Sequence, residues 1–406
     1  MTSRVVIIGA GHAGGTAASL LRQYGYQGSI MLLGSEPHIP YQRPPLSKAW
    51  LKGEVDADSL ALRPRDYYDD ANIALRLETE VVQLEPEQRT VNLRDGERVG
   101  FDVAILATGA TPIMLNTPGV DLDGVLTLRT AADAEALKLS LGAGRRTVVI
   151  GGGYIGLEVA ASAVALGGAA VVLERAPRIL ARSASAPIAE FFEAYHRDRG
   201  VRIEVDAEVV GLEGREGRVC AVLLADGERI ACDLVVVGVG IRPNIDLAKA
   251  AGLECDRGVL VDAQALTSDR AIYAIGDCTQ RPSAHYGRLV CPESVPSALE
   301  QAKQAAAHIA GRPDPAPEVP WNWSDQYDLK LQVAGFAFDV DQMVLRGDPS
   351  RGSFAVFHLM NGEVRQVEAI NAAAEFMAGR QLIQRRTKVD PARLADAGIS
   401  MKSVAE

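Results

Sequence analysis

The chain has 406 residues, of which 48% are hydrophobic, 23% charged and only 5% aromatic. This is the profile of a folded protein of several domains, at roughly 100–200 residues each. A net charge of −10 argues against a nucleic-acid binder, which needs a basic face, and no apolar run is long enough to span a bilayer.

With so few aromatics, the cores must be built from Ala, Val, Leu and Ile, the palette of parallel sheets covered by helices. MTSR leads at once into an apolar strand, Val5–Ile8. A secretory signal has a longer apolar stretch and a cleavage site, so a cytoplasmic protein is expected. VVIIGAGHAGG reads as strand, tight turn and helix start, with the helix running to about Tyr24 and the next strand at Ser29–Leu33. A Pro-rich loop spans Pro40 to Lys48, and after Arg98 comes a strand, DVAILATG, ending at Gly109. Near Thr147 the opening pattern returns as TVVIGGGYIG, followed by a strand at Ala169–Leu173 and another at Asp233–Gly238. The copies lie about 140 residues apart, which means two similar ligand-binding modules rather than a solenoid, whose periods are roughly 20–50 residues. TSDRAIYAIGDC gives a strand ending at Gly276 and Asp277, and ESVPSALEQAKQAAAHIAG a helix. Pro313–Pro320 reads as a linker. Beyond it come short strands joined by turns, a helix over about Ala373–Ile383, and a short helix with a loose tail over Val389–Glu406. The expected fold is α/β: two Rossmann-like nucleotide-binding domains plus a C-terminal α+β domain.

Gly9-x-Gly11-x-x-Gly14 and Gly151-x-Gly153-x-x-Gly156 carry the chemistry. Glycines permit the tight turn and let backbone approach a pyrophosphate, which then faces the amides of the following helix. An acidic or polar residue about 20 positions on reaches the ribose hydroxyls. In the first module that residue is Ser35 or Glu36; in the second it is Glu174. A carboxylate there repels a 2′-phosphate and favours NADH over NADPH, although the neighbouring Arg175 could bind that phosphate. Two such sites imply one bound flavin and one exchangeable nicotinamide.

GAGHAGG, PYQRPPLSK, LATGATP, GGGYIGLE, YAIGDC and PESVPSALEQA together resemble the glutathione-reductase-fold flavoproteins. More narrowly they resemble the NADH-dependent ferredoxin reductases of bacterial oxygenase systems, and PWNWSDQYDLKLQVAG extends the likeness into the third domain. The resemblance implies tightly bound FAD in a discontinuous domain of residues 1–112 and 242–320, an NAD domain of 113–241 and an interface domain of 321–406. It implies FAD contacts at Ala13, Arg43, Lys48, Val81, Ala107, Thr108, Gly109, Arg129, Gly276, Asp277, Val295 and Trp323, beside the motif glycines. Tyr154, Ile155, Glu158 and Gly240 join the second motif in the NAD site. Lys48 and Glu158 are expected as an ion pair near the flavin ring, with Glu158 in the first turn of its helix, and Trp323 is expected where electrons leave.

The five cysteines form neither C-x-x-C nor C-x4-C, so no dithiol relay and no resident iron–sulfur cluster is expected. The histidines show no ligand spacing, so no metal is expected, and His12 reads as a packing residue. Electrons must then leave directly from the flavin to a one-electron acceptor. The expected partner is a [2Fe–2S] ferredoxin serving a cytochrome P450 or a ring-hydroxylating dioxygenase. Rubredoxin reductase, an NADH:quinone oxidoreductase and an association protein like apoptosis-inducing factor are the alternatives. An acidic ferredoxin would need a basic rim on this acidic protein, and Lys303 and Lys330 are candidates. A monomer is expected.

Overall fold

The computed structural model describes residues 3–404. The start of the expected first domain (1–2) and the end of the expected tail (405–406) lie outside the described residues. The chain divides into two compact units. The first runs through Gln42 and resumes over Ala57–Thr111 and Arg242–Asn322; the second takes Arg43–Asp56, Pro112–Ile241 and the chain from Trp323 onward.

A five-stranded parallel sheet organises the first unit, in the order Ile272–Ala274, Val103–Leu106, Arg4–Ile8, Ser29–Leu33 and Ile73–Arg76. Side chains of a strand alternate between faces, and Arg4–Ile8 shows the consequence. Val5 and Ile7 enter a core shared with the helices His12–Gln23 and Val295–Ile309, while Val6 and Ile8 enter a second core with Leu84, Val91 and Val99. The two helices meet through alanines, including Ala17, Ala18, Ala302 and Ala305, which let them approach closely. The second core belongs in part to an antiparallel meander, Val81–Glu85, Thr90–Leu93 and Arg98–Gly100. The strand expected after Arg98, DVAILATG, is Val103–Leu106 of the parallel sheet, and Arg98–Gly100 just before it belongs to the meander.

The second unit repeats the plan. Its parallel sheet runs Arg202–Glu204, Ala169–Leu173, Arg146–Ile150, Leu234–Val237 and Val125–Leu126. The likeness reaches single bonds. Asp102 accepts from the Arg4 amide at 2.6 Å, and Asp233 from the Arg146 amide at 2.9 Å. An antiparallel sheet follows, in the order Trp321–Gln326, Leu329–Gly335, Glu363–Ile370, Ser353–Met360 and Gln342–Asp348, with the helix Ala373–Arg385 packed on it. Leu329, Leu331 and Phe354 of this sheet share one core with Val149, Leu157 and Phe192. Leu51, from the segment after the Pro-rich loop, lies in that same core.

The tail is not loose over the described residues. It forms the helix Pro391–Ala395, capped by Asp390, and the buried Arg346 guanidinium donates to the carbonyls of Leu394, Asp396 and Ile399 at 2.6–3.1 Å. Among the described residues no helix is long and apolar enough to cross a membrane.

Candidate cofactor sites and a buried ion pair

Both glycine motifs sit at the carboxyl ends of their parallel strands, where open α/β sheets bind ligands. Gly9 follows the strand Arg4–Ile8 with φ +112°, and Gly151 follows Arg146–Ile150 with φ +111°. A Cβ on Gly9 would lie 2.2 Å from the Ala107 carbonyl oxygen, and one on Gly151 would lie 2.4 Å from that of Gly238. At Gly14 and Gly156 it would meet the carbonyl oxygens of Gly9 and Gly151 at 1.9 and 2.1 Å. Only glycine fits these positions. At Gly11 and Gly153 it would meet nothing within 4 Å. Each of these is the N-cap of its helix and makes no side-chain capping bond, so each helix start opens onto space shaped for an anion. The residues present therefore fit one dinucleotide pyrophosphate at each cradle.

The surroundings of the first cradle come from several strand ends. Ala13 and Gly276 pack together, since a Cβ on Gly276 would lie 3.1 Å from that of Ala13. Gly276 opens the single turn Gly276–Cys278 that holds Asp277. Val295 starts its helix, capped by Ser294. Val81 opens the meander at the edge of the second core. The segment Ala107–Gly109 is clasped by Asn244, which donates to the Thr108 carbonyl at 2.9 Å, accepts from the Thr108 hydroxyl at 2.7 Å through its own carbonyl, and donates its amide to Gly109. Nothing in the local pattern singles out Asn244. Ser35 is exposed, while the Glu36 carboxylate accepts from the Tyr41 hydroxyl at 2.6 Å. Of the two, Glu36 is the residue held in place.

In the second cradle Glu174 accepts from the amides of Gly152 and Ala176, both at 2.8 Å. Both of its oxygens are thus anchored to backbone and retain lone pairs for ribose hydroxyls. Arg175 is exposed beside it. Tyr154 donates to the Ser183 carbonyl at 2.8 Å; burial foremost, and the Glu368 charge, raise its phenol pKa. Ile155 is exposed at the helix start, and Gly240, with φ +132°, lies at the edge of the cradle near Arg182. A cleft of about 250 Å³ on the first unit, lined by Arg4, Ser29 and Glu97, is at the amino ends of the strands and plays no part here.

Within the second unit Lys48 Nζ lies 2.8 Å from Glu158 Oε2. Glu158 is not in the first turn of its helix, as the sequence suggests. The helix is Tyr154–Ala165, which puts Glu158 in the second turn, 2% exposed. A favourable charge at an exposed helix start therefore does not account for it. Ser47 donates to the same Oε2 at 2.5 Å, and Ser324 to Oε1 at 2.6 Å. The pair borders a cleft of about 80 Å³ shared with Lys52, Asp325 and Tyr327. Arg43 donates to the Arg129 carbonyl at 2.6 Å, so the second unit gathers Arg43 with Arg129, and Lys48 with Glu158. Trp323 opens this unit's share of the strand Trp321–Gln326 and is half-buried. The sequence reading missed Ser47 and Ser324. A signal existed for the latter: Asn322, Ser324 and Gln326 put three polar side chains on one strand face.

All five cysteines are free. Among the described residues no group of His, Cys, Asp or Glu side chains could hold a metal ion.

Residues 3–308 match the pyridine nucleotide-disulphide oxidoreductase family, and residues 321–405 match the reductase C-terminal family. The chain is 48% identical over 403 residues to the Castellaniella defragrans protein named "Probable ferredoxin reductase CtmF", covering 99% of this chain and 98% of that one. It is 42% identical over 341 residues to a rubredoxin-NAD(+) reductase of Pseudomonas putida, covering 84% of this chain and 89% of that one. The structure of a covalent putidaredoxin reductase–putidaredoxin complex matches with a TM-score of 0.97 at 40% identity, covering 99% of this chain and 98% of the other.

Proposed function

This chain belongs to the pyridine nucleotide-disulphide oxidoreductase family, and from that premise we propose that it is an FAD-dependent NADH:ferredoxin reductase. The observation that carries the reading is the pair of backbone cradles, one per unit, each shaped for a pyrophosphate, in a chain with no paired cysteines to relay electrons. When bound, FAD accepts a hydride from NADH and gives up the two electrons singly, which suits a [2Fe–2S] ferredoxin.

The chain's own residues bind and orient. Gly9, Gly11 and Gly14 hold the FAD pyrophosphate, and Glu36 takes its ribose. Gly151, Gly153 and Gly156 hold the NADH pyrophosphate, with Glu174 on the adenine ribose. Tyr154, Ile155 and Gly240 border the nicotinamide end. Arg43, Arg129, Asp277, Val295, Val81 and the Ala107–Gly109 turn complete the FAD site. Lys48, oriented by Glu158, places an ammonium beside the flavin ring, where it stabilises negative charge on the reduced form. Trp323 lies on the exit route. In domain terms, residues 1–112 with 242–320 bind FAD, 113–241 bind NADH and 321–406 meet the partner. The ferredoxin serves an oxygenase, a cytochrome P450 or a ring-hydroxylating dioxygenase, and the reductase works as a cytoplasmic monomer.

The test is anaerobic mixing of the holoenzyme with NADH and stoichiometric [2Fe–2S] ferredoxins. Rapid flavin bleaching followed by rapid ferredoxin reduction supports the reading. Bleaching with no response from any ferredoxin, but turnover with rubredoxin or a soluble quinone, moves the assignment to those acceptors. The rubredoxin outcome is the second reading, favoured by the rubredoxin reductase match. No bleaching by NADH rejects the reductase assignment altogether.

A further inference from the structure

The Lys48–Glu158 pair does not stand alone. Ser324 and Gln326 lie two residues apart on the strand Trp321–Gln326 and so share a face. Gln326 donates to Ser324 Oγ at 3.0 Å, and its amide oxygen meets His196 Nε2 at 2.7 Å. His196 comes from the helix Ala186–Asp198, and Tyr327 meets its Nδ1 at 3.2 Å. Glu158, Ser324, Gln326 and His196 are at most 2% exposed. Burying such groups is costly unless every member is paired. Here each member is paired with the next, so the four side chains form one connected chain of bonds.

Its direction is fixed from one end. Glu158 is an acceptor, so Ser324 spends its one proton there. Ser324 then has only lone pairs for Gln326, which must present its NH2 group; a flipped amide would set two oxygens against each other. The amide oxygen of Gln326 in turn requires His196 to carry its proton on Nε2. Burial depresses the His196 pKa foremost, with the Gln326 hydrogen bond opposing it and Arg199 adding to it, and the neutral ring leaves Nδ1 to accept from Tyr327. Burial raises the Tyr327 phenol to about 12, so it remains a donor. Tyr195, beside Arg199 and Tyr327, and Asp328, which accepts from Tyr195 and pairs with Arg199, are further titratable groups near the ring.

We propose that Ser324, Gln326 and His196 are positioning residues for the Lys48–Glu158 pair: their bonds hold Glu158 Oε1, which turns Oε2 towards Lys48. The functional part rests on the reading of Lys48 as the flavin's neighbour. Ser324→Ala leaves Oε1 without its donor and the carboxylate held at Oε2 alone, by Ser47 and Lys48, so that it can turn about that end and the ammonium can drift. Expected is a flavin midpoint potential shifted negative and flavin reduction by NADH slowed about tenfold, the scale of one hydrogen bond to a charged group, with unchanged NADH affinity. Gln326→Met, which keeps the volume, gives the same signs should Ser324→Ala fold poorly. In a Glu158→Gln background Ser324→Ala should change neither quantity. A Ser324→Ala effect that persists in that background overturns the proposal while leaving the Lys48 reading intact. An unchanged potential in Lys48→Met overturns the Lys48 reading instead. The bond direction has its own readout: nitrogen NMR of His196 should report the Nε2–H tautomer, with or without flavin, and the Nδ1–H tautomer would overturn the chain.

Discussion

Gly14 shows how much one hydrogen can decide. The position a Cβ would occupy lies 1.9 Å from a backbone oxygen of the same turn, and neither partner can yield without opening the cradle. Gly14→Ala is therefore expected to purify without flavin absorbance, whereas Gly11→Ala, whose Cβ enters space left for the ligand, is expected to fold normally and bind FAD more weakly. Glu174→Ala should raise KM for NADH about tenfold, from the loss of hydrogen bonds to a charged group, with kcat little changed; steady-state kinetics decide it. The glycines were legible because steric rules act within a few residues of sequence. The polar strand face of Ser324 was legible too, but its role was not, because the carboxylate it serves lies 166 positions away and becomes its neighbour only through tertiary packing. The distinction between Ser35 and Glu36 likewise needed Tyr41, whose hydroxyl picks out the glutamate.

Elements were easier to read than their borders. The strand–turn–helix repeats are strongly patterned, and both appear in register with matching sheet positions. The strand DVAILATG was legible but its end was not: it stops at Leu106 rather than Gly109, because Thr108 and Gly109 are held by Asn244 from a distant part of the chain. At the start of the second sheet Arg146 holds Asp233 in a two-pronged ion pair that depresses its pKa from 3.8 to about 2. A depressed carboxylate contributes stability that is present above its unfolded pKa and is lost as pH falls through the folded value. Asp233→Asn should therefore unfold at lower urea than the parent at pH 7, and the gap should close between pH 4 and pH 2. A gap of constant size would place the effect elsewhere.

On the scale of the whole molecule, the proposed docking of an acidic ferredoxin on this acidic chain would call for local positive charge. Lys303 is engaged by Glu318 at 2.9 Å, while Lys330 is exposed. Lys330→Glu is expected to slow ferredoxin reduction more than Lys303→Glu, and raising salt from about 0.05 to 0.5 M should slow the parent severalfold as screening shortens the reach of the charges. Stopped-flow rates at limiting ferredoxin test both, and salt-independent rates would remove the basic rim from the account. The sequence conveyed the order of modules well. It could not convey that strands beyond Trp323 share a core with the second parallel sheet, because shared burial leaves no mark in a linear pattern.

The division of the first unit among three stretches of chain also has a consequence for synthesis. Ile272–Ala274 supplies the edge strand beside Val103–Leu106, so a ribosome must deliver the entire parallel sheet of the second unit before the first sheet can close. Until then Val103–Leu106 has an unpaired edge of backbone amides and carbonyls, a template for pairing with another nascent chain. Truncated or stalled products ending near residue 240 should aggregate for that reason, and a chaperone would find its client in the opening module rather than in the segment most recently made.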